Sequence, residues 1–409
     1  MRRLLCLLAI FLAFALIGGC AQNGAIGPAG EPGVAGPPGP PGPPGEVGAP
    51  GPAGTPGRDG VSYTPPVYVG SQTCGRCHED YYNSYTQTGH ANILTSVVDG
   101  QPVARPFTQV PQPPTGYTWE DIRYVVGGYN WKAHFIDQEG YLITGEEARY
   151  NLPNRWLEQG DDWVAYRPGE RIEYTCGSCH TTGYVADGNQ HNLPGIVGSW
   201  AEDGVGCEAC HGPGGNHVND PYLVTMEIEQ DSSLCLDCHV RMETSEILVE
   251  GALIDHQISY QSPHAAKHRL MDCTTCHDPH QSTVHATGEA VKVDCESCHF
   301  EQQLYQKFAN FRHASCTDCH MPLMITSALS NTAQYTGDVR SHLMSINPYQ
   351  IEQFTPAGAF TQPYLSLNFS CRGCHSEDGF ASPLSDEALI EMATGYHSRE
   401  LANTIRRTR

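Results

Sequence analysis

The chain has almost no thiol to spare. Of its 18 cysteines, sixteen stand in pairs separated by two residues, and the other two, Cys6 and Cys20, fall within the first twenty positions. Two-residue spacing is poor geometry for a structural disulfide, so a cross-linked framework is excluded and no free nucleophilic thiol remains in the body. Positive charge is scarce as well. Lys and Arg number 23 against 45 Asp and Glu, a formal charge of −22. An acidic chain of this kind repels nucleic acid and steers toward basic docking partners, although surface acidity also suits any solvated exported protein. The first apolar run, Leu4 to Ile17, is 14 residues long, short of the ~20 that a membrane-spanning helix needs. The apolar fraction is only 39%, with 43 Gly and 30 Pro, so little regular secondary structure is expected.

The paired thiols share one pentapeptide, C-x-x-C-H, repeated eight times. The sets are Cys74, Cys77 and His78; Cys176, Cys179 and His180; Cys207, Cys210 and His211; Cys235, Cys238 and His239. They continue with Cys273, Cys276 and His277; Cys295, Cys298 and His299; Cys316, Cys319 and His320; Cys371, Cys374 and His375. In this pentapeptide the thiols add across the two vinyl groups of a haem, and the histidine binds the iron as its proximal ligand. Zinc ribbons also use C-x-x-C pairs, but nothing in a ribbon requires His after every second Cys. The expected cofactor is therefore haem c, eight groups covalently attached. The expected fold class is a multihaem cytochrome c: short helices and loops wrapped around the haems, whose apolar discs supply much of the core.

The N-terminus reads as an export and anchoring device. Arg2 and Arg3 precede the apolar run, which ends Leu16-Ile17-Gly18-Gly19-Cys20. Residues 1–19 are expected to be a lipoprotein signal peptide and Cys20 the lipidated residue, a chain attached to a membrane without spanning it. Ala21 follows in place of the Asp that retains lipoproteins at the inner membrane. The expected location is the bacterial outer membrane, facing the periplasm or the cell surface. An ordinary cleaved signal with a chance cysteine is the alternative.

Residues 20–62 carry a different repeat. Glycine recurs every third residue from Gly24 to Gly60, with three successive Gly-Pro-Pro units from Gly36 to Pro44. Strict Gly periodicity is the collagen signature, because only Gly fits at the axis of three packed polyproline chains. A stalk is expected, either trimeric or a single-chain polyproline spacer.

The body is assigned to residues 63–409. Between His78 and Cys176 lie 97 residues without a motif. This gap reads as a small β subdomain over residues 115–165. Ile122 to Val126 is β-branched and aromatic, Gly127-Gly128 is a turn, and Trp131 to Asp137 and Tyr141 to Thr144 are further strand candidates. Trp119, Trp131, Trp156 and Trp163 lie here. A cover over the first haems is the preferred role, a substrate or partner surface the other.

The sixth iron ligand separates a wire from an enzyme. Of twenty histidines, twelve remain after the proximal set: His90, His134, His191, His217, His256, His264, His268, His280, His285, His313, His342 and His397. Local context favours His90, His217, His264, His280, His313 and His342 as distal ligands, then His256 and His397. His134 ranks lower because it falls in a strand. Met321 directly follows a proximal His and is badly placed for the opposite face of the same haem.

At several stretches the chain resembles multihaem c-type cytochromes of the cytochrome c-554-like kind and their extracellular electron-transfer relatives. These stretches are Tyr68-Val69-Gly70-Ser71-Gln72-Thr73-Cys74, Gly204 to Gly214, Cys276-His277-Asp278-Pro279-His280 and Cys316-Thr317-Asp318-Cys319-His320-Met321-Pro322. The resemblance implies mostly bis-His haems in a chain that passes electrons between redox partner proteins. It also implies possible homopolymers sharing a distal His, while the collagen-like segment suggests a homotrimer. Two functions are weighed. One is a respiratory or extracellular electron conduit at the outer membrane. The other is an octahaem oxidoreductase acting on a nitrogen or sulfur compound such as hydroxylamine, nitrite or tetrathionate. Every motif ends in His, none in Lys, and the expectation is therefore an electron carrier and not an enzyme.

Overall fold

Two adjacent glycines and a β-branched run set up the largest element. The computed structural model describes residues 67–226, 228, 232–239, 254–255, 268, 271–302, 314–354 and 362–397. The signal segment, Cys20, the Gly-X-Y stretch, His256, His264 and His313 lie outside the described residues. Seven strands form one antiparallel sheet: β1 (Leu94–Ser96), β2 (Ile122–Gly127), β3 (Lys132–Asp137), β4 (Tyr141–Leu142), β5 (Gly145–Asn151), β6 (Asp162–Tyr166) and β7 (Ile172–Glu173). Gly127 and Gly128 turn β2 into β3 with φ of 75° and 76°, a region where side chains are strained. A Cβ on Gly127 would meet the Lys132 carbonyl oxygen at 2.5 Å.

The sheet extends beyond the expected 115–165 at both ends, because β1 pairs with β2 and β7 with β4. Its two faces follow the period of two. Val125, Ala133, Phe135, Ala148 and Tyr150 pack in one apolar core. Tyr124, Val126 and Ile136 face the other side, in a core with Tyr174, Ile196 and Trp200, against which Cys176 packs. His134 has the parity of Ile136, so β3 turns it toward the second motif.

Most motifs occupy one short helical turn. Ser71–Gly75, Gly177–His180, Cys207–His211, Ser233–His239, Cys273–Cys276 and Cys316–His320 are α-helical. Cys295–Ser297 is a tighter turn and Asn368–Arg372 a wider one. A helical turn brings residues three apart to one side, which puts both thiols of a pair on the same face. Strands β8 (Thr181–Thr182) and β9 (Glu202–Asp203) pair antiparallel, joining the second motif to the approach of the third. A last sheet holds β10 (Ile254–Asp255), β11 (Leu323–Thr326) and β12 (Val339–Arg340). Its core of Met324, Ile325, Val339, Leu343, Leu365 and Phe369 also takes Trp131 from the β2–β3 turn. Among the described residues no helix is long and apolar enough to cross a membrane.

Candidate haem sites and the surroundings of the second motif

The motifs line one continuous cavity of about 5080 Å³ that touches both cysteines and the histidine of all eight. Ordinary ligand pockets hold ~300–1,000 Å³, so this space suits several large groups and not one. Imidazoles face each other across it. His78 and His217 have ring centroids 6.3 Å apart, His211 and His280 6.2 Å, and His320 and His397 6.0 Å, with planes within 21–25° of parallel. His90 and His239 stand 6.1 Å apart and His268 and His299 5.8 Å, with planes crossed at 68° and 78°. His277 and His342 are 6.1 Å apart at 55°. An iron bonded at about 2 Å to a ring nitrogen on each side would hold two imidazole centroids about 6 Å apart. All six pairs fit that requirement, and each joins one motif histidine to one histidine from elsewhere in the chain.

Five of the favoured distal candidates are thus opposite a motif histidine: His90, His217, His280, His342 and His397. The sixth partner, His268, was not among those favoured in its stretch, where His264 and His256 ranked higher. Two further spare histidines face no motif histidine among the described residues. His285 stacks on Phe107 at 4.5 Å and bonds the Tyr129 carbonyl through Nε2 at 3.2 Å. His191 is exposed with φ 57°. Against His375, no second imidazole is found among the described residues, and its Nδ1 bonds the Ser382 carbonyl at 2.9 Å.

Neighbouring motifs meet through their sulfurs. Burial and then Cys207 push the Cys74 thiol up to about 11. Cys273 bonds Cys235 and raises it, with Cys210 adding to the effect. Burial and Cys179 push Cys238 up to about 12. Burial raises Cys276 with help from Cys298, and Cys316 with help from Glu296 and Cys295. Burial, Cys371 and Cys374 push Cys319 up to about 12. The contacts run from the first motif to the third, fourth, fifth, sixth, seventh and eighth, and the second joins at the fourth.

The second motif has surroundings of its own. Tyr174 meets His180 Nδ1 through its hydroxyl at 3.3 Å. On β3, Ala133 pairs with Tyr150 and Lys132 with Asn151 of β5. The same register carried one residue on sets Arg149 beside His134. The His134 ring stands edge-on to Tyr166 at 4.4 Å. Burial lowers His134 to about 3, helped by the positive charges of Lys132 and Arg149 and by His180. Burial also lowers Arg149. Burial holds the Tyr166 hydroxyl above its ordinary value, with Cys176 pushing the same way and Arg167 and Arg149 opposing. His134 Nδ1 and Arg149 Nε are buried and have no hydrogen-bond partner. Lys132 donates to the Ser327 carbonyl. Lys132, His134, Arg149 and Tyr166 line the cavity together with Cys176, Cys179 and His180. Sequence reasoning missed Lys132, Arg149 and Tyr166, and it ranked His134 low.

Comparison with known proteins agrees with this picture. A family described as cytochrome c3 matches residues 199–290, and one described as cytochrome c554 and c-prime matches residues 158–212. The dissimilatory sulfite reductase MccA of Wolinella succinogenes is 23% identical over 380 residues, covering 66% of this chain and 52% of its own. The multihaem cytochrome MtrA of Shewanella baltica is 27% identical over 135 residues, 29% of this chain and 36% of its own. This chain therefore spans about half the length of the first relative and about a third of the second. The solved structure of the Wolinella succinogenes octahaem sulfite reductase MccA superposes with a TM-score of 0.52 at 17% identity, covering 85% of this chain and 73% of that one.

The expectation of an electron carrier and not an enzyme is corrected by this comparison, since a relative matched over 66% of the chain is a reductase. The inference from eight intact C-x-x-C-H motifs was too strong. The fifth residue of the motif sets only the proximal side, whereas access for substrate is decided by what stands on the distal side. The motifs, the facing imidazoles and the family matches together make this chain a multihaem c-type cytochrome with covalently bound haem c.

Proposed function

We propose that this protein is an octahaem oxidoreductase, and that electrons collected along its haems are delivered at the second motif to a small sulfur or nitrogen oxyanion. When bound, the haems supply one-electron redox chemistry, which for His/His ligation lies at low potential. The facing pairs support bis-His ligation by His217, His280, His90, His342, His268 and His397 for the first, third, fourth, fifth, sixth and seventh motifs. The sulfur contacts support a continuous path with the second motif as a branch from the fourth.

The observation that carries the enzymatic reading is the group at the second motif: Lys132, His134, Arg149 and Tyr166 beside Cys176 and His180. Arg149 and Lys132 are the cations of this group, with the Asp162 and Asp338 carboxylates close enough to act on Arg149, and an anion accepting from the two cations is the ligand that suits them. His134 is neutral at physiological pH, so it offers one N–H and one lone pair instead of a charge. Tyr166 keeps its proton and can donate a hydrogen bond. A buried Nε without a hydrogen-bond partner is costly, and an anionic substrate accepting from it would remove that cost. Sulfite is the first substrate to test, because a relative is a sulfite reductase.

The test is oxidation of reduced methyl viologen by the purified haem-loaded protein on addition of sulfite, nitrite or tetrathionate. Turnover with one of them, lowered on the order of 100-fold by Arg149→Ala, is expected. No turnover with any of the three, together with a CO difference spectrum unchanged from that of a fully low-spin cytochrome, would overturn the reading.

The N-terminal segment completes the proposal. After removal of the signal peptide, a lipid on Cys20 and a Gly-X-Y stalk would hold the haem body away from an outer membrane, on its periplasmic or cell-surface side. Basic redox proteins are the partners that suit a charge of −22.

A further inference from the structure

The third motif contains a buried carboxylate that haem attachment does not require. Glu208 sits between Cys207 and Cys210 and is 2% exposed. It accepts from the backbone N–H of Val69 at 3.0 Å, Gly70 at 2.8 Å and Gly214 at 2.7 Å. Among the described residues no ion pair involves it. Glu202 lies nearby, accepting from the Ser71 N–H at 3.0 Å and from the Ser71 hydroxyl at 2.9 Å, and Cys207 N–H donates back to Ser71 Oγ at 3.0 Å. Two carboxylates thus grip Val69-Gly70-Ser71, the three residues that lead into the first motif from more than 130 residues away.

Three backbone dipoles make burial of the Glu208 charge tolerable. They do not cancel it at a distance, because a dipole field falls faster than that of a charge. Both carboxylates lie close to the Cys74 sulfur, one of the two attachment points of the first haem, and Glu208 belongs to the motif of the third. In a low-dielectric interior a negative charge favours the more positive, oxidised state of a nearby group.

We propose that Glu208, assisted by Glu202, is the potential-setting and positioning residue for the haems of the first and third motifs, locking the two motifs together and holding both potentials down. It rests on the haem chain proposed above, and haem content separates the two: a protein short of haem challenges that chain, whereas a fully loaded protein with unshifted potentials challenges only Glu208.

The experiment is a spectroelectrochemical titration of the haem-loaded wild type, Glu208→Gln and Glu208→Asp, with haem content and thermal stability measured in parallel. Glu208→Gln removes the charge and keeps the shape. Two couples are expected to move up by about 59 mV each, which is a tenfold change in the ratio of reduced to oxidised form for a one-electron couple. Glu208→Asp keeps the charge and should stay near the wild-type potentials even where its stability falls. If Glu208→Gln loads its haems and melts lower with all couples unmoved, the residue is a structural pin only and the proposal is wrong. If Glu208→Gln does not load, Glu202→Gln decides, with a smaller upward shift of the same couples expected and no shift overturning the proposal.

Discussion

His268 and His299 face each other with ring centroids 5.8 Å apart and planes crossed at 78°. His299 ends the sixth motif, and His268 comes from 31 residues upstream. If the pair clasps one iron, His268→Ala should leave that iron with a single strong ligand. The oxidised variant should show a high-spin EPR component worth one haem beyond the wild type, and the reduced variant a CO band of matching size. His268→Met should give a smaller spin change and a raised potential for one couple, since Met on iron raises it. Spectra identical to the wild type would remove His268 from the ligand set.

That pair also shows how far the sequence could be read. The proximal set is written in the pentapeptides, because attachment requires that local pattern. Distal partners obey no local rule: His217 lies 139 residues beyond His78, and His90 lies 149 residues before His239. Local context favoured His90, His217, His280 and His342, with His397 a further choice, and each faces a motif histidine; in the stretch of His256, His264 and His268 local context ranked His268 last, yet it is the one that faces a motif histidine among the described residues. The strands over 122–127 and 132–137 were legible because β-branched residues and the Gly127-Gly128 turn write them directly. Their consequence was not. His134 was ranked low as a strand residue, yet strand parity is what aims it at the second motif. Arg149 and Tyr166 gave no signal, because their relation to His134 depends on the pairing of β3 with β5 and of β5 with β6, which was not read from the sequence.

Acid should loosen the body through His134. In the unfolded chain this imidazole protonates near 6.5, and in the fold burial and two cations lower it to about 3. Between those values the unfolded state binds the extra proton. The stability from keeping His134 neutral is therefore fully present above 6.5 and is lost progressively as pH falls toward 3. Each pH unit within that window costs about 1.4 kcal/mol. Thermal unfolding of the haem-loaded protein should shift down between pH 7 and pH 5, and His134→Leu should flatten the slope. Parallel slopes for variant and wild type would show that other groups govern acid sensitivity.

The Gly-X-Y segment makes a prediction about assembly. Thirteen glycines in register from Gly24 to Gly60 would suit a triple helix, whose axis only Gly can occupy, better than a single polyproline spacer, which has no axis to crowd. The soluble protein starting at residue 21 should sediment as a trimer at low temperature. Removal of residues 21–60 should leave a monomer, and Gly39→Ala, within the Gly-Pro-Pro units, should lower the dissociation temperature. Two monomers of equal state would return the segment to the role of a spacer.

On the proposed electron path, the fourth motif is where the branches divide. Cys238 lies beside Cys179 of the second motif, and Cys235 beside Cys273 of the fifth. The ring opposite its histidine, His239, is that of His90, 6.1 Å away. His90→Met should therefore raise the potential of the junction alone. An electron that reaches a site of raised potential must climb to leave it, and a tenfold population trap corresponds to about 59 mV for one electron. Turnover at the second motif should fall at least tenfold, while haem content stays complete and one couple moves up in the redox titration. His397→Met, at the seventh motif, should raise one couple as well. If electrons enter on the side of the first and third motifs, that site lies off the route and turnover should be unchanged. If His397→Met slows turnover as much as His90→Met, electrons enter from the eighth-motif end and the seventh motif is on the working path. If neither variant slows turnover while its couple moves, electrons reach the second motif without passing the fourth, and the branch read from the sulfur contacts is wrong.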